Sequence, residues 1–129
     1  MEVLMNLSDS EWKVMKVLWE NSPRTMTQIT HALKEQTNWT KHTIMSFLKR
    51  MEEKNAIHHE EGENAKLYYP DIDENEAELE EAKAFLQKVF KGKLGLMMHA
   101  MVEHEALEDE EIQELNAILE AAKREHESK

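Results

Sequence analysis

The chain has 129 residues, is 40% hydrophobic and 33% charged, and carries 16 Lys+Arg against 27 Asp+Glu for a formal net charge of −11. That length allows one domain of ordinary size or two small ones, and the absence of cysteine excludes a disulfide framework, a thiolate metal site and a cysteine nucleophile. The net charge argues against nucleic acid, but residues 1–70 hold nine Lys+Arg against ten Asp+Glu and residues 71–129 hold seven against seventeen. The first half is therefore near neutral and free to present a locally basic face.

A cysteine-free chain fits a reducing cytoplasm. No apolar run approaches the ~20 residues of a membrane span, and MEVLMNLSDSEW has neither a basic segment nor the apolar length of a signal peptide. A cytoplasmic protein with no membrane partner is expected.

Leu7-Ser8-Asp9-Ser10-Glu11-Trp12 reads as a helix start. Ser8 and Glu11 make a capping box, and Leu7 with Trp12 a hydrophobic staple. Trp12, Met15, Leu18 and Trp19 follow as a wide apolar face, which puts the tryptophans in the core. The helix should stop before Asn21-Ser22-Pro23, because the residue before proline resists the α conformation. Thr25 and Gln28 form a second capping box, and Met26, Ile29 and Leu33 define a short helix ending near Gln36.

The next helix, Thr40–Lys54, is capped by Thr40. Ile44, Phe47, Leu48 and Met51 sit at i, i+3, i+4 and i+7, one buried stripe. His42, Ser46, Lys49 and Glu53 point the other way, flanked by Met45, Thr43 and Arg50. A helix that is greasy behind and carries short hydroxyls and cations in front suits a DNA major groove. Thr43 and Ser46 can bond to phosphates or base edges, Met45 can meet a thymine methyl, and Lys49 and Arg50 can hold phosphate or guanine. On its own the pattern also describes a solvated surface helix; its neighbours favour DNA.

After Lys54 the period changes. Ile57–Glu61 and Lys66–Tyr69 read as strands around Gly62-Glu63-Asn64, a hairpin with Pro70 as its stop. Three helices followed by a hairpin is the winged-helix plan. Asp73 and Glu76 then resemble a capping pair. Leu79, Ala82, Leu86 and Val89 keep helical spacing, with Phe85 and Phe90 beside them and Gly92 as a C′ stop. Leu94, Met97, Met98, Met101 and Val102 mark another helix. Asp109-Glu110-Glu111 open a last one, with Ile112, Leu115, Leu119 and Ala122 on one face. The fold class expected is mostly α, an α+β winged helix over 1–72 followed by a three-helix domain over 73–129.

The chain resembles the penicillinase-repressor family. The resemblance rests on Ser8-Asp9-Ser10-Glu11-Trp12-Lys13-Val14-Met15, Trp39-Thr40, Thr43-Ile44, Leu48-Lys49-Arg50-Met51 and Tyr68-Tyr69. It continues through Phe85, Val89-Phe90-Lys91-Gly92, Val102-Glu103 and Glu111-Ile112-Gln113-Glu114-Leu115. It implies a winged-helix domain joined to a helical dimerisation domain, and repression from inverted-repeat operators often built from TACA/TGTA half-sites. It also implies a sensor-linked protease as a partner in one branch, cutting an Asn–Phe bond just before a Val-Glu pair. Here the corresponding bond is Ala100–Met101. Many relatives carry a basic wing, whereas this one reads His59-Glu60-Glu61-Gly62-Glu63. The copper-sensing branch carries Cys-x-Cys, which this chain lacks.

The DNA-contact set expected is His42, Thr43, Met45, Ser46, Lys49 and Arg50. Three amphipathic helices in 73–129 are too short a segment to bury all their apolar faces, so Phe85, Leu86, Val89, Met97, Met101, Leu115 and Leu119 should be shared with a second chain. Met97-Met98-His99-Ala100-Met101-Val102-Glu103-His104-Glu105 could suit Cu(I) and a metal-responsive regulator. Its spacing is equally that of a buried stripe with methionine as filler, and no metal or cofactor is expected. Neither a glycine-rich phosphate loop nor a nucleophile paired with a base is present, so no enzyme is expected. The remaining alternative, prompted by the acidic wing, is a winged-helix protein-interaction module that binds DNA weakly.

Overall fold

The computed structural model describes residues 6–128; the first five residues, on which part of the N-terminal reading rests, lie outside that range. The element order is α1 (Asp9–Glu20), α2 (Met26–Ala32), α3 (Lys41–Glu53), β1 (Ile57–Glu61), β2 (Lys66–Pro70), α4 (Glu74–Phe90), α5 (Leu94–Glu103) and α6 (Asp109–Glu127). The chain divides into two compact units, Met1–Ala82 and Lys83–Lys129, with the division inside α4.

The first unit holds the core. Val14, Met15, Val17 and Leu18 of α1, Ile29 and Leu33 around α2, and Ile44, Leu48 and Met51 of α3 are buried together with Ile57 and Tyr68 of the hairpin. Each such side chain contributes about 1.5–3 kcal/mol on burial. Trp12, Trp19 and Trp39 pack against this cluster from its rim and are only partly buried, where the spacing puts them inside. An indole is large and carries a polar N–H: that of Trp19 reaches the Ile72 carbonyl at 2.9 Å.

Both capping boxes form. Ser8 Oγ accepts from the Glu11 N–H and Glu11 Oε1 from the Ser8 N–H; Thr25 and Gln28 repeat the arrangement. Glu11 then does more than cap. Its side chain is completely buried and takes a 2.6 Å bond from Lys54 Nζ, which also donates to the Asn6 carbonyl. α1 stops at Glu20, before Asn21-Ser22-Pro23. α2 is shorter than its spacing suggests: it ends at Ala32, and Leu33–Gln36 form a turn.

β1 and β2 pair antiparallel, with Ile57 opposite Pro70 and Glu61 opposite Lys66. Pro70 is thus the last residue of its strand rather than a stop beyond it. A third segment joins the sheet at one residue. Arg24 and Tyr68 exchange both backbone bonds, at 3.2 and 2.9 Å, which anchors the turn between α1 and α2 to the wing.

In the second half, Asp73 Oδ2 accepts from the Glu76 N–H as the capping pair suggests. The α4 terminus reverses at Lys91 and Gly92, with φ of 56° and 80°, one residue earlier than glycine alone would require. Among the described residues of α4, α5 and α6, none is fully buried.

Candidate nucleic-acid interface

α3 is positioned from behind and below. Thr40 Oγ1 accepts from the Thr43 N–H at 3.2 Å and caps the helix. Ile44, Leu48 and Met51 dock it on the core, and Phe47 packs edge-on against Trp39 with centroids 4.9 Å apart. The opposite face carries His42, Met45, Ser46, Lys49 and Arg50, all exposed. Met45 is 48% exposed, unusual for an apolar side chain on a helix whose other large apolar residues face inward. Thr43 differs from the rest: it is half-buried and its hydroxyl lies 3.3 Å from that of Thr40. The Arg50 guanidinium sits 5.7 Å from the Phe47 ring centre, a cation–π position that restrains it.

A groove of about 300 Å³ runs beside Met45, lined by Thr25, Thr27, Ala65, Lys66 and Tyr68 with Met26. The sequence reading misses these neighbours. Lys66 could have been found from strand alternation, which puts it on the face of Tyr68; Thr25 and Thr27 depend on the Arg24–Tyr68 bridge, for which there is no side-chain pattern.

The wing is laced by histidine–carboxylate contacts. His58 Nδ1 meets Asp71 at 2.6 Å and its Nε2 lies 3.5 Å from Glu60, while its ring stacks on Tyr69. His59 Nδ1 meets Glu52 of α3 at 2.5 Å, with Nε2 3.9 Å from Glu61. The Asp71 hydrogen bond is the largest influence on His58 and holds its pKa above the ordinary value; desolvation opposes it, and the Asp71 charge and Glu60 add to it. Burial, then the Glu52 and Glu61 charges, push the Tyr68 phenol up.

In the second unit, Phe85 and Val89 are each 48% exposed and Leu119 is 61% exposed, while Leu86, Met97, Met101 and Leu115 are half-buried. Leu94, Leu96, Val102, Ile112 and Ile118 are also exposed; the sequence reading put Leu94, Val102 and Ile112 on helix faces without assigning them to a second chain, and Leu96 and Ile118 had no place in it. His99 Nε2 meets Glu103 at 3.0 Å on α5, and no group of three His, Asp or Glu suited to a metal ion occurs among the described residues. No helix of the described residues is long and apolar enough to cross a membrane.

Comparison with known proteins places this geometry. The profile of the penicillinase repressor family matches residues 7–121. A penicillinase repressor from Bacillus licheniformis is 32% identical over 123 residues, covering 95% of this chain and 96% of the relative. The methicillin resistance regulatory protein MecI of Mammaliicoccus sciuri is 29% identical, covering 88% and 92%. Among solved structures, the DNA-binding domain of the repressor BlaI aligns at 32% identity with a TM-score of 0.51, covering 57% of this chain and 90% of that one. The B. licheniformis BlaI monomer in complex with the blaP half-operator aligns at the same identity and TM-score, covering 58% and 92%.

Proposed function

This chain belongs to the penicillinase-repressor family, and on that premise we propose that it is a DNA-binding transcriptional repressor, not an enzyme, acting as a homodimer on an inverted-repeat operator. The observation that carries the reading is α3. Its apolar stripe is docked on a winged-helix core and its outer face is exposed, polar and cationic, in a fold similar to a repressor domain solved with half-operator DNA. His42, Thr43, Met45, Ser46, Lys49 and Arg50 are the proposed contacts, with Lys49 and Arg50 supplying charge and Met45 the apolar element.

Residues 1–72 form the proposed DNA-binding domain and 73–129 the dimerisation domain. Support for a dimer comes from the apolar side chains left exposed on α4, α5 and α6, since clustered apolar surface marks an interaction site. Induction by a sensor-linked protease is a finer proposal. The Ala100–Met101 bond lies inside α5, where both residues are half-buried, so cleavage there requires α5 to open first.

The deciding experiment is a gel shift of the full chain against duplexes carrying inverted TACA/TGTA repeats. Native protein should bind, and Lys49→Ala or Arg50→Ala should weaken binding by about 1–3 kcal/mol where the contact is bidentate to a base. Unchanged affinity in both variants would remove α3 from the interface.

A further inference from the structure

The wing sets a problem for any DNA contact, because its residues include Glu60, Glu61 and Glu63 against a single cation, Lys66. Strand alternation and register resolve where these charges point. Residues 57, 59 and 61 of β1 share a face with 66, 68 and 70 of β2, the face whose Ile57 and Tyr68 are buried against the helices. Lys66 is on that face and lines the groove beside Met45 of α3. Glu60 alternates to the opposite face, with His58 and Tyr69. Glu61 is the acid that matters, since it stands directly opposite Lys66 in the ladder, where opposite charges ordinarily pair.

The two do not pair. Among the described residues Lys66 makes no ion pair; Glu61 lies instead 3.9 Å from His59 Nε2. The His59 ring is held in place from behind, its Nδ1 on Glu52 of α3 and its face tilted against Tyr68 at 5.7 Å. An ammonium group with no carboxylate on it, next to the exposed methionine of the recognition helix, is a ready partner for a phosphate oxygen. We propose that Lys66 is a further DNA-backbone contact of this chain, and that His59 is a positioning residue that keeps Lys66 available by drawing Glu61 aside. The inference rests on the DNA-binding reading. It makes the turn end of the wing, at the Glu61–Lys66 pair and beside Met45 of α3, the point of attraction.

The test uses the full chain and a fluorescently labelled duplex of inverted TACA/TGTA repeats, with affinity measured from 50 to 200 mM salt. Lys66→Gln should weaken binding about 3–10-fold at the low-salt end and reduce the slope of log affinity against log salt by about 0.9, the signature of one lost phosphate contact. Preference for the repeat over random duplex should not change. His59→Gln should shift affinity in the same direction, because the released Glu61 can then pair with Lys66. Adding Glu61→Gln to that variant should raise affinity by clearly more than Glu61→Gln alone raises that of the native chain, an excess that neither the removal of an acid beside DNA nor a merely structural role for His59 produces. A native salt slope in Lys66→Gln overturns the contact, and a gain from Glu61→Gln that is the same in the native chain as in His59→Gln overturns the positioning role. Native protein that binds no such duplex at 50 mM salt overturns the DNA-binding reading itself, and this inference with it.

Discussion

At the scale of single residues, the most consequential finding is the second role of Glu11. Its place in a capping box is readable from spacing, but its burial is not, because the partner that permits burial is Lys54, 43 positions away. Burial pushes the Glu11 carboxyl up; the Lys54 and Ser8 hydrogen bonds, with the charges of Lys54 and Arg50, outweigh it and hold its pKa below the ordinary value. A carboxyl so lowered contributes stability that is complete above its unfolded pKa near 4.5 and is lost as pH falls through the folded value. Lys54→Met removes the cation and leaves a buried carboxylate alone, so the melting transition should fall by the equivalent of about 3 kcal/mol. Thermal denaturation of the variant at pH 7 tests this; a loss under about 1 kcal/mol would mean the pair behaves like an exposed one. His58 gives the opposite sign. Its folded pKa is raised by Asp71, so its contribution is complete below its unfolded pKa near 6.5 and lost as pH rises through the folded value. Asp71→Asn should move the His58 titration, followed by NMR, downward; a titration that stays put would assign the shift to Glu60.

At the scale of elements, the helices are legible wherever a cap and a stripe coincide. α1 and α3 begin and end within a residue of their expected limits, since Ser8 and Thr40 fix the starts and Pro23 forbids continuation. α2 is the weaker case. Its stripe includes Leu33, which is buried from a turn rather than from a helix, and periodicity cannot tell those apart. The Arg24–Tyr68 bridge is invisible in sequence for a related reason: one residue pairing through its backbone leaves no alternation behind. The outer face of α3 is legible as a set, yet the groove next to it is not, because its lining comes from three separated segments. The wing yields a prediction at this scale. Glu61 shares the face of Lys66 and Glu60 does not, so Glu61→Lys should tighten binding to any duplex and steepen its salt dependence more than Glu60→Lys does. Equal effects of the two substitutions would mean that the wing meets DNA with neither face in particular.

For the whole molecule, the question is what the second half is for. The winged-helix core is complete within residues 7–68: among the described residues every buried apolar side chain of its cluster, from Leu7 to Tyr68, lies there. Ile72 adds the acceptor for Trp19. A fragment of residues 1–72 therefore keeps its core and should fold. It gives up the bonds from Lys16 to Glu74 and Glu78, exposed pairs worth about 0–1 kcal/mol each. Residues beyond it have the reverse character, with large apolar side chains such as Leu94, Ile118 and Leu119 at least half exposed, which only another surface would cover. If that surface is a second copy, a C₂ dimer presents two α3 helices to half-sites about 34–36 Å apart, one turn of DNA. The second head then rebinds as though at about millimolar concentration, which is worth roughly 10²–10⁴ in avidity. The fragment should accordingly sediment as a monomer and bind a full operator more weakly than the full chain by that factor, while the two should bind an isolated half-site alike. The half-site comparison separates lost avidity from a damaged head: a fragment weak on both duplexes would show that the second half supports the fold of the first. A fragment that dimerises, or that matches the full chain on the complete operator, would assign the exposed helices to a partner other than a second copy of this chain.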